Sequence, residues 1–244
     1  MKKMKFNITG YVSYNLKRLI TRGYLPLGLM ISILPASIMC YIILVNSAPF
    51  TIKHISNFYC MLGITAMVLQ STYLINNDFS YKTISLIYNS KENRLGYIIG
   101  NILISIFVGA IFSAIGIILF IISKYLGVPG ELEIIFLLGF ILDVILVIVI
   151  YFLCGYCLFL SGFRSGAVYG ILILFLLFIP NLLSNIVYGY SNPFLSAVVE
   201  NFPGYYLPIT VGSNVFTLLQ YIISLITIFV LFTVVLKKSL RVEV

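Results

Sequence analysis

The chain has 244 residues, 61% of them hydrophobic and 9% charged, with a mean hydropathy of +1.11. A water-soluble domain carries about 25% charged and about 45–50% apolar residues, and a chain this short cannot hide so much apolar surface from water. The bilayer must be its solvent, which excludes a disordered chain, a disulfide scaffold and a nucleic-acid-binding domain. The net charge of +8 comes from 15 Lys and Arg against 7 acids, so the positions of those few cations carry the information.

In chain order, residues 7–22 come first. Ile8, Tyr11, Val12, Leu16, Leu19 and Ile20 recur at helical spacing, with Lys17, Arg18 and Arg22 elsewhere. That pattern predicts an amphipathic helix lying in the membrane interface; a short soluble tail is the other reading. The basic stretch is not expected to be a cleaved signal peptide, because its cations continue to Arg22 and a stretch of spanning length follows.

Crossing ~30 Å of hydrocarbon takes about 20 apolar residues in a helix. Six stretches qualify: 24–45, 57–75, 96–122, 134–160, 166–188 and 214–236. Pro26 and Pro35 are candidates to kink the first. Six crossings place both termini on one side, and the cations choose it. With the termini in the cytoplasm, Lys2, Lys3, Lys5, Lys17, Arg18, Arg22, Lys82, Lys91, Arg94, Arg164, Lys237, Lys238 and Arg241 lie inside, and only Lys53 and Lys124 outside. The chain therefore reads as one transmembrane domain, an all-α integral membrane protein of the cell membrane.

Intramembrane enzymes need recognisable groups, and these are missing. His54 is the single histidine, and Ser165 lacks the flanking glycines of a nucleophile elbow. Cys154 and Cys157 read as two thiols in an apolar helix, and converging zinc ligands are lacking. No metal or cofactor is expected in this chain. Asp143 is the one acid well inside a span, and such a residue marks a functional site by default. It lacks a cationic partner, so the expectation is either a protonated carboxyl or a bond to a polar side chain such as Gln70 or Asn181, and a structural and a functional role both stay open.

Residues 78–94 form the most informative loop. A short helix is expected over residues 80–90, with Tyr81, Ile84 and Tyr88 on one face at i, i+3 and i+7. An exposed aromatic face of this kind suits docking of a protein partner, or it rests on the membrane or on its own bundle. Between the fifth and sixth spans, residues 189–213 hold Pro193, Pro203 and Pro208 with Tyr205 and Tyr206, a proline-broken aromatic segment toward the outer surface.

The stretch Asp78-Phe79-Ser80-Tyr81-Lys82-Thr83-Ile84, followed by Arg94-Leu95-Gly96-Tyr97-Ile98-Ile99-Gly100-Asn101, resembles the loop after the second span in type-2 (ABC-2-like) ABC transporter permeases. Asp78 corresponds to the acid of that motif, Thr83 to its threonine, Arg94 to its basic residue and Gly100 to its glycine. Two positions depart: Lys82 stands where the motif has glycine, and Asn101 where it has lysine. Six spans, an interfacial N-terminal helix and both ends inside agree with the family across nearly the whole chain.

The resemblance implies a coupling helix formed by the 78–94 loop, with Tyr81, Ile84 and Tyr88 as its knob and Asp78, Lys82, Thr83 and Arg94 around it. It also implies that 189–213 forms short re-entrant helices capping the outer end; an interfacial loop with tyrosine anchors is the alternative. In size and Ile/Asn/Tyr-rich texture the chain is most similar to permeases of bacteriocin-immunity and peptide-toxin exporters, among them the phenol-soluble modulin exporters.

The chain has no phosphate-cradling Gly-x-x-x-x-Gly-Lys-[Ser/Thr] loop. The resemblance therefore implies a separate cytoplasmic ATP-binding-cassette ATPase subunit holding ATP and Mg, and a second permease copy or paralogue. The expected cargo is an amphipathic peptide, with drugs or lipids as alternatives. A non-pumping immunity protein and a secondary transporter or channel are the competing classes.

Overall fold

A computed structural model describes residues 6–189 and 192–241. Lys2, Lys3 and Lys5 of the charge ledger lie outside the described residues. Every element among the described residues is a helix, and six are long and apolar enough to span a membrane. The protein is an all-α, multi-pass integral membrane protein.

Helix α1 (Ile8–Thr21) is capped by Asn7, whose Oδ1 accepts from Gly10 N at 3.0 Å. Gly23, at φ +77°, turns the chain into the first span, α2 (Tyr24–Asn46). Pro35 sits inside this continuous helix, while Pro26 falls in its first turn, where a missing N–H costs nothing. The second span, α3 (Ile52–Ser80), begins at a reciprocal cap of Thr51 and His54. That cap is the local work of the single histidine.

The second span runs beyond the expected 57–75 and takes Asn76, Asn77 and Asp78 into its last turns. The helix expected over 80–90 shrinks to the single turn α4 (Ile84–Ile87). Ser90 then caps α5 (Lys91–Tyr125), accepting from Asn93 N at 3.2 Å, so the third span starts before residue 96. The fourth span is α6 (Ile134–Leu160), as expected.

The fifth span is not one α-helix. It is built from α7 (Ser165–Ile173), a π-helical turn (Leu174–Phe178) and α8 (Ile179–Gly189). Pro180 explains the turn: in an α-helix its ring would strike the carbonyl four residues earlier, that of Leu176, and widening the helix there relieves the clash. Two short helices follow, α9 (Pro193–Glu200) and α10 (Pro203–Thr210), and then the sixth span, α11 (Leu218–Arg241). Thr217 and Gln220 cap α11 reciprocally, through Thr217 N to Gln220 Oε1 at 3.0 Å and Gln220 N to Thr217 Oγ1 at 3.3 Å. This cap delays the span from the expected residue 214.

Two faces of the bundle follow from long-range bonds. On one, Arg94 donates to Ser239 O, Lys238 to Ser161 Oγ, and Ser165 Oγ to Asn76 Oδ1. This terminal face gathers α1, the 81–90 loop and the end of α11. On the other, Ile52 N donates to Pro129 O at 2.9 Å, and Lys53 Nζ to Asn214 Oδ1 at 3.4 Å. This cap face carries α9 and α10. Among described residues the terminal face holds Lys17, Arg18, Arg22, Lys82, Lys91, Arg94, Arg164, Lys237, Lys238 and Arg241, and the cap face Lys53 and Lys124.

The core lies between α2, α3, α5 and α6, built on Tyr59, Met67, Phe112, Phe120, Phe140 and Phe152. Gly63 lets these helices close, because a Cβ there would lie 2.3 Å from Ser32 Oγ and 2.7 Å from the Phe112 ring. The fifth and sixth spans are the least enclosed, with 17% and 11% of their most apolar stretch buried.

Candidate functional site

The 78–94 loop is clamped at its base. Asp78 Oδ2 accepts from Tyr97 Oη at 2.6 Å and from Tyr11 Oη at 3.3 Å, so one carboxylate joins α1, α3 and α5. Its Oδ1 accepts from Thr83 Oγ1 at 2.9 Å. Asn101 completes the knot, accepting from Tyr11 Oη at 3.2 Å and donating to Tyr97 O at 2.9 Å. Burial, with the nearby Asp78 charge, raises the Tyr11 phenol above its ordinary value and keeps it a neutral donor.

The far end of the loop is held as firmly. Arg94 Nε donates to Tyr88 O at 3.1 Å, and its guanidinium lies over the Tyr88 ring, 4.9 Å from the centroid. The Tyr88 hydroxyl meets the Tyr156 hydroxyl of α6. Burial pushes the Tyr88 phenol up to about 12. Four buried or half-buried tyrosines (Tyr11, Tyr88, Tyr97 and Tyr156) thus bind the loop to three spans and to α1.

This geometry corrects the expected knob. Ile84 and Tyr88 are only 4% and 3% exposed, because α4 turns both into the bundle. Tyr81 is 75% exposed and Leu86 77% exposed, and these two project from the terminal face. Lys82 between them has a φ of +57°, the left-handed region that favours glycine.

The 189–213 segment forms two short helices rather than a loop; its Tyr190 and Ser191 lie outside the described residues. Pro193 is exposed at the first turn of α9, where Asn192 Oδ1 accepts from Phe194 N at 3.0 Å. Pro203 opens α10, which turns Tyr205 and Tyr206 inward. Tyr206 Oη donates to Gln220 O at 3.0 Å and pairs with Ser224 Oγ at 2.8 Å. These tyrosines are anchors into the bundle, not into the lipid interface.

After α10, Gly212 has a φ of +88° and no room for a side chain, since a Cβ would lie 2.8 Å from Ser56 O. Beside it opens a cavity of about 490 Å³, lined by Asn57, Phe58, Met61, Leu177, Asn181 and Pro208. It sits between the second span, the π-helical turn with α8, and α10. Residue spacing did not point to it; Pro180 and the amides Asn57 and Asn181 in apolar stretches were the available signals.

Asp143 does not bond Gln70 or Asn181. Its Oδ2 accepts from Phe216 N at 3.3 Å, Tyr221 lies beside it, and its Oδ1 has no partner. Gln70 Nε2 instead donates to Tyr24 O at 2.5 Å, and Asn181 Nδ2 to Leu177 O at 2.6 Å. Asp143 therefore ties the entry of the sixth span to the fourth. Cys154 and Cys157 are free thiols lining an apolar cavity of about 250 Å³.

No protein-family model matches the chain, and no curated protein matches it.

Proposed function

We propose that this chain is the membrane-spanning subunit of an ATP-driven exporter of the ABC-2 type, with its terminal face in the cytoplasm. The observation that carries this reading is the clamped loop. A docking element that transmits force must be stiff at its base and exposed at its tip, since a loosely held base would let hydrolysis idle. Asp78, Thr83, Arg94 and Asn101 stiffen the base, and Tyr81 and Leu86 are the free apolar tip. Three of the four residues that match the permease motif, Asp78, Thr83 and Arg94, are among those that hold the loop. Lys82 stands where that motif has glycine and adopts the backbone that glycine takes without strain.

ATP and Mg belong to a separate cytoplasmic ATPase subunit in this proposal, and a second permease copy or a paralogue completes the pathway. The bias of Lys and Arg to the terminal face sets the orientation in the cell membrane. The cargo is an amphipathic or hydrophobic molecule, with a toxic peptide first, and its export also protects the producing cell. A cavity at the cap face, with apolar walls and the amides of Asn57 and Asn181, offers contact to part of such a molecule.

The test uses inverted vesicles containing this chain and its ATPase. ATP-dependent accumulation of an amphipathic peptide supports the reading; peptide binding that ignores ATP would replace it with a non-pumping immunity protein. Orientation is checked by cysteine labelling in intact cells of a chain lacking its native cysteines. Positions 54 and 194 should label from outside, and positions 91 and 238 only after permeabilisation.

A further inference from the structure

Unpartnered polar atoms are not scattered through this bundle. Of the five buried side-chain polar atoms without a partner among the described residues, Gln70 Oε1, Asn77 Nδ2 and Tyr169 Oη belong to the seam between the second and fifth spans. A fourth, Arg18 Nε, belongs to α1 just above it. Asn77 is 9% exposed, and an amide so buried should have its donors satisfied. Two of these residues, Gln70 and Tyr169, line one feature, a cavity of about 280 Å³ completed by Tyr24, Leu69 and Tyr73. Asn77 stands beside Tyr73, and Tyr169 beside Thr72 and Asn76. The Arg18 and Arg22 guanidiniums are close enough to act on the hydroxyls of both Tyr24 and Tyr73, which share a hydrogen bond of 2.9 Å.

The chemistry of this set is one-sided. Arg18 Nε, Asn77 Nδ2 and Tyr169 Oη are buried donors without a hydrogen bond of good geometry, the last two within reach of Tyr73 and of Asn76 and Thr72. Two positive charges stand over them, with no carboxylate paired to Arg18 or Arg22 among the described residues. Such a set calls for an anionic ligand with several acceptor oxygens. Gln70 Oε1 is a free acceptor deeper in the seam and suits a ligand hydroxyl. Below the polar cluster the walls are apolar, and α2 presents Leu27, Met30, Ile31 and Leu34 outward. A charged group at interface depth above an apolar wall is the layout of a phospholipid.

We propose that the seam between α1, α2, α3 and α7 binds one anionic phospholipid of the terminal-face leaflet, with its phosphate on Arg18, Arg22, Asn77 and Tyr169, a headgroup hydroxyl on Gln70 and an acyl chain along α2. Phosphatidylglycerol, with a net negative charge and headgroup hydroxyls, has this chemistry; phosphatidylcholine, zwitterionic and without a headgroup hydroxyl, does not. The site needs no ATPase and no transport, so it stands or falls separately from the exporter reading.

The experiment is native mass spectrometry of the full chain released from micelles holding equal phosphatidylglycerol and phosphatidylcholine. The wild type should retain one phosphatidylglycerol preferentially. Surface cations contribute about 1 kcal/mol each toward anionic lipid, so Arg18→Gln with Arg22→Gln should lower that preference about thirtyfold. Tyr169→Phe removes a hydroxyl that stands beside Asn76 and Thr72 without a bond of good geometry, so folding should change little while retention falls about threefold. The Lys double replacement, Arg18→Lys with Arg22→Lys, should keep most of the preference.

Three results would overturn the proposal. One is equal retention of both lipids by the wild type. Another is competition by millimolar glycerol 3-phosphate as effective as by the lipid, which would make the site one for a free anion. The third is disulfide formation between two chains through a cysteine placed at position 169, without lipid selectivity, which would assign the seam to a second copy.

Discussion

Tyr97 donates its hydroxyl to Asp78 across 2.6 Å, and this bond joins the last turn of α3 to the first turns of α5. Both residues flank the loop that projects Tyr81 and Leu86, so the bond sets the stiffness of that loop. A hydrogen bond to a charged acceptor contributes about 1.5–3 kcal/mol. Tyr97→Phe should lose roughly that much in unfolding measured in mixed micelles. Asp78→Asn keeps an acceptor oxygen and should lose less. Equal stability of Tyr97→Phe and wild type would show that the base is held elsewhere.

Lys82 offers a test in the opposite direction. A non-glycine residue in the left-handed region costs about 1 kcal/mol. Lys82→Gly relieves that strain, and the greater freedom of glycine in the unfolded chain offsets about 0.4–1 kcal/mol of it, so the loop should be stabilised by a few tenths of a kcal/mol at most. Faster hydrogen exchange of residues 81–88 in this variant would contradict the strain.

The Tyr88 phenol predicts a pH dependence. It is neutral when protonated, and burial raises it from an ordinary 10.0 to about 12. Its contribution to stability is thus complete below pH 10 and fades as pH rises from 10 to 12. Wild type minus Tyr88→Phe, followed by absorbance at alkaline pH, should show one tyrosine ionising near 12. A difference titration centred at 10 would place Tyr88 in contact with water.

Asp143, 1% exposed, separates a structural from a functional acid. Asp143→Asn keeps the acceptor for Phe216 N and removes a carboxyl oxygen that has no partner, so folding should be unchanged or improved. Asp143→Ala leaves that N–H unsatisfied and should cost about 1–3 kcal/mol. Loss of transport in a well-folded Asp143→Asn would give the carboxyl a functional role.

Apolar runs of spanning length reveal the spans because the bilayer reads each segment by itself, and composition alone makes 134–160 a helix. The loop is different. The i, i+3, i+7 spacing of Tyr81, Ile84 and Tyr88 speaks of one face, but the burial of Tyr88 depends on Tyr156, far along the chain in α6. Asp78 looked like a loop residue because it is charged, yet Tyr11 and Tyr97 supply the donors that let α3 carry it. The π-helical turn was foreshadowed only by Pro180. The seam cluster was invisible because no periodicity marks an amide that lacks a partner.

The central claim is that Tyr81 and Leu86 form the tip through which a separate ATPase drives this chain. The most direct measurement is site-specific crosslinking from position 81 or 86 to that ATPase in membranes, together with its peptide-stimulated hydrolysis. Crosslinks should form from both positions and change with ATP. Truncating interface anchors often costs 2 kcal/mol or more, so Tyr81→Ala with Leu86→Ala should reduce ATPase association about thirtyfold while the protein inserts normally. Full association and full stimulated hydrolysis in that double variant would contradict the account.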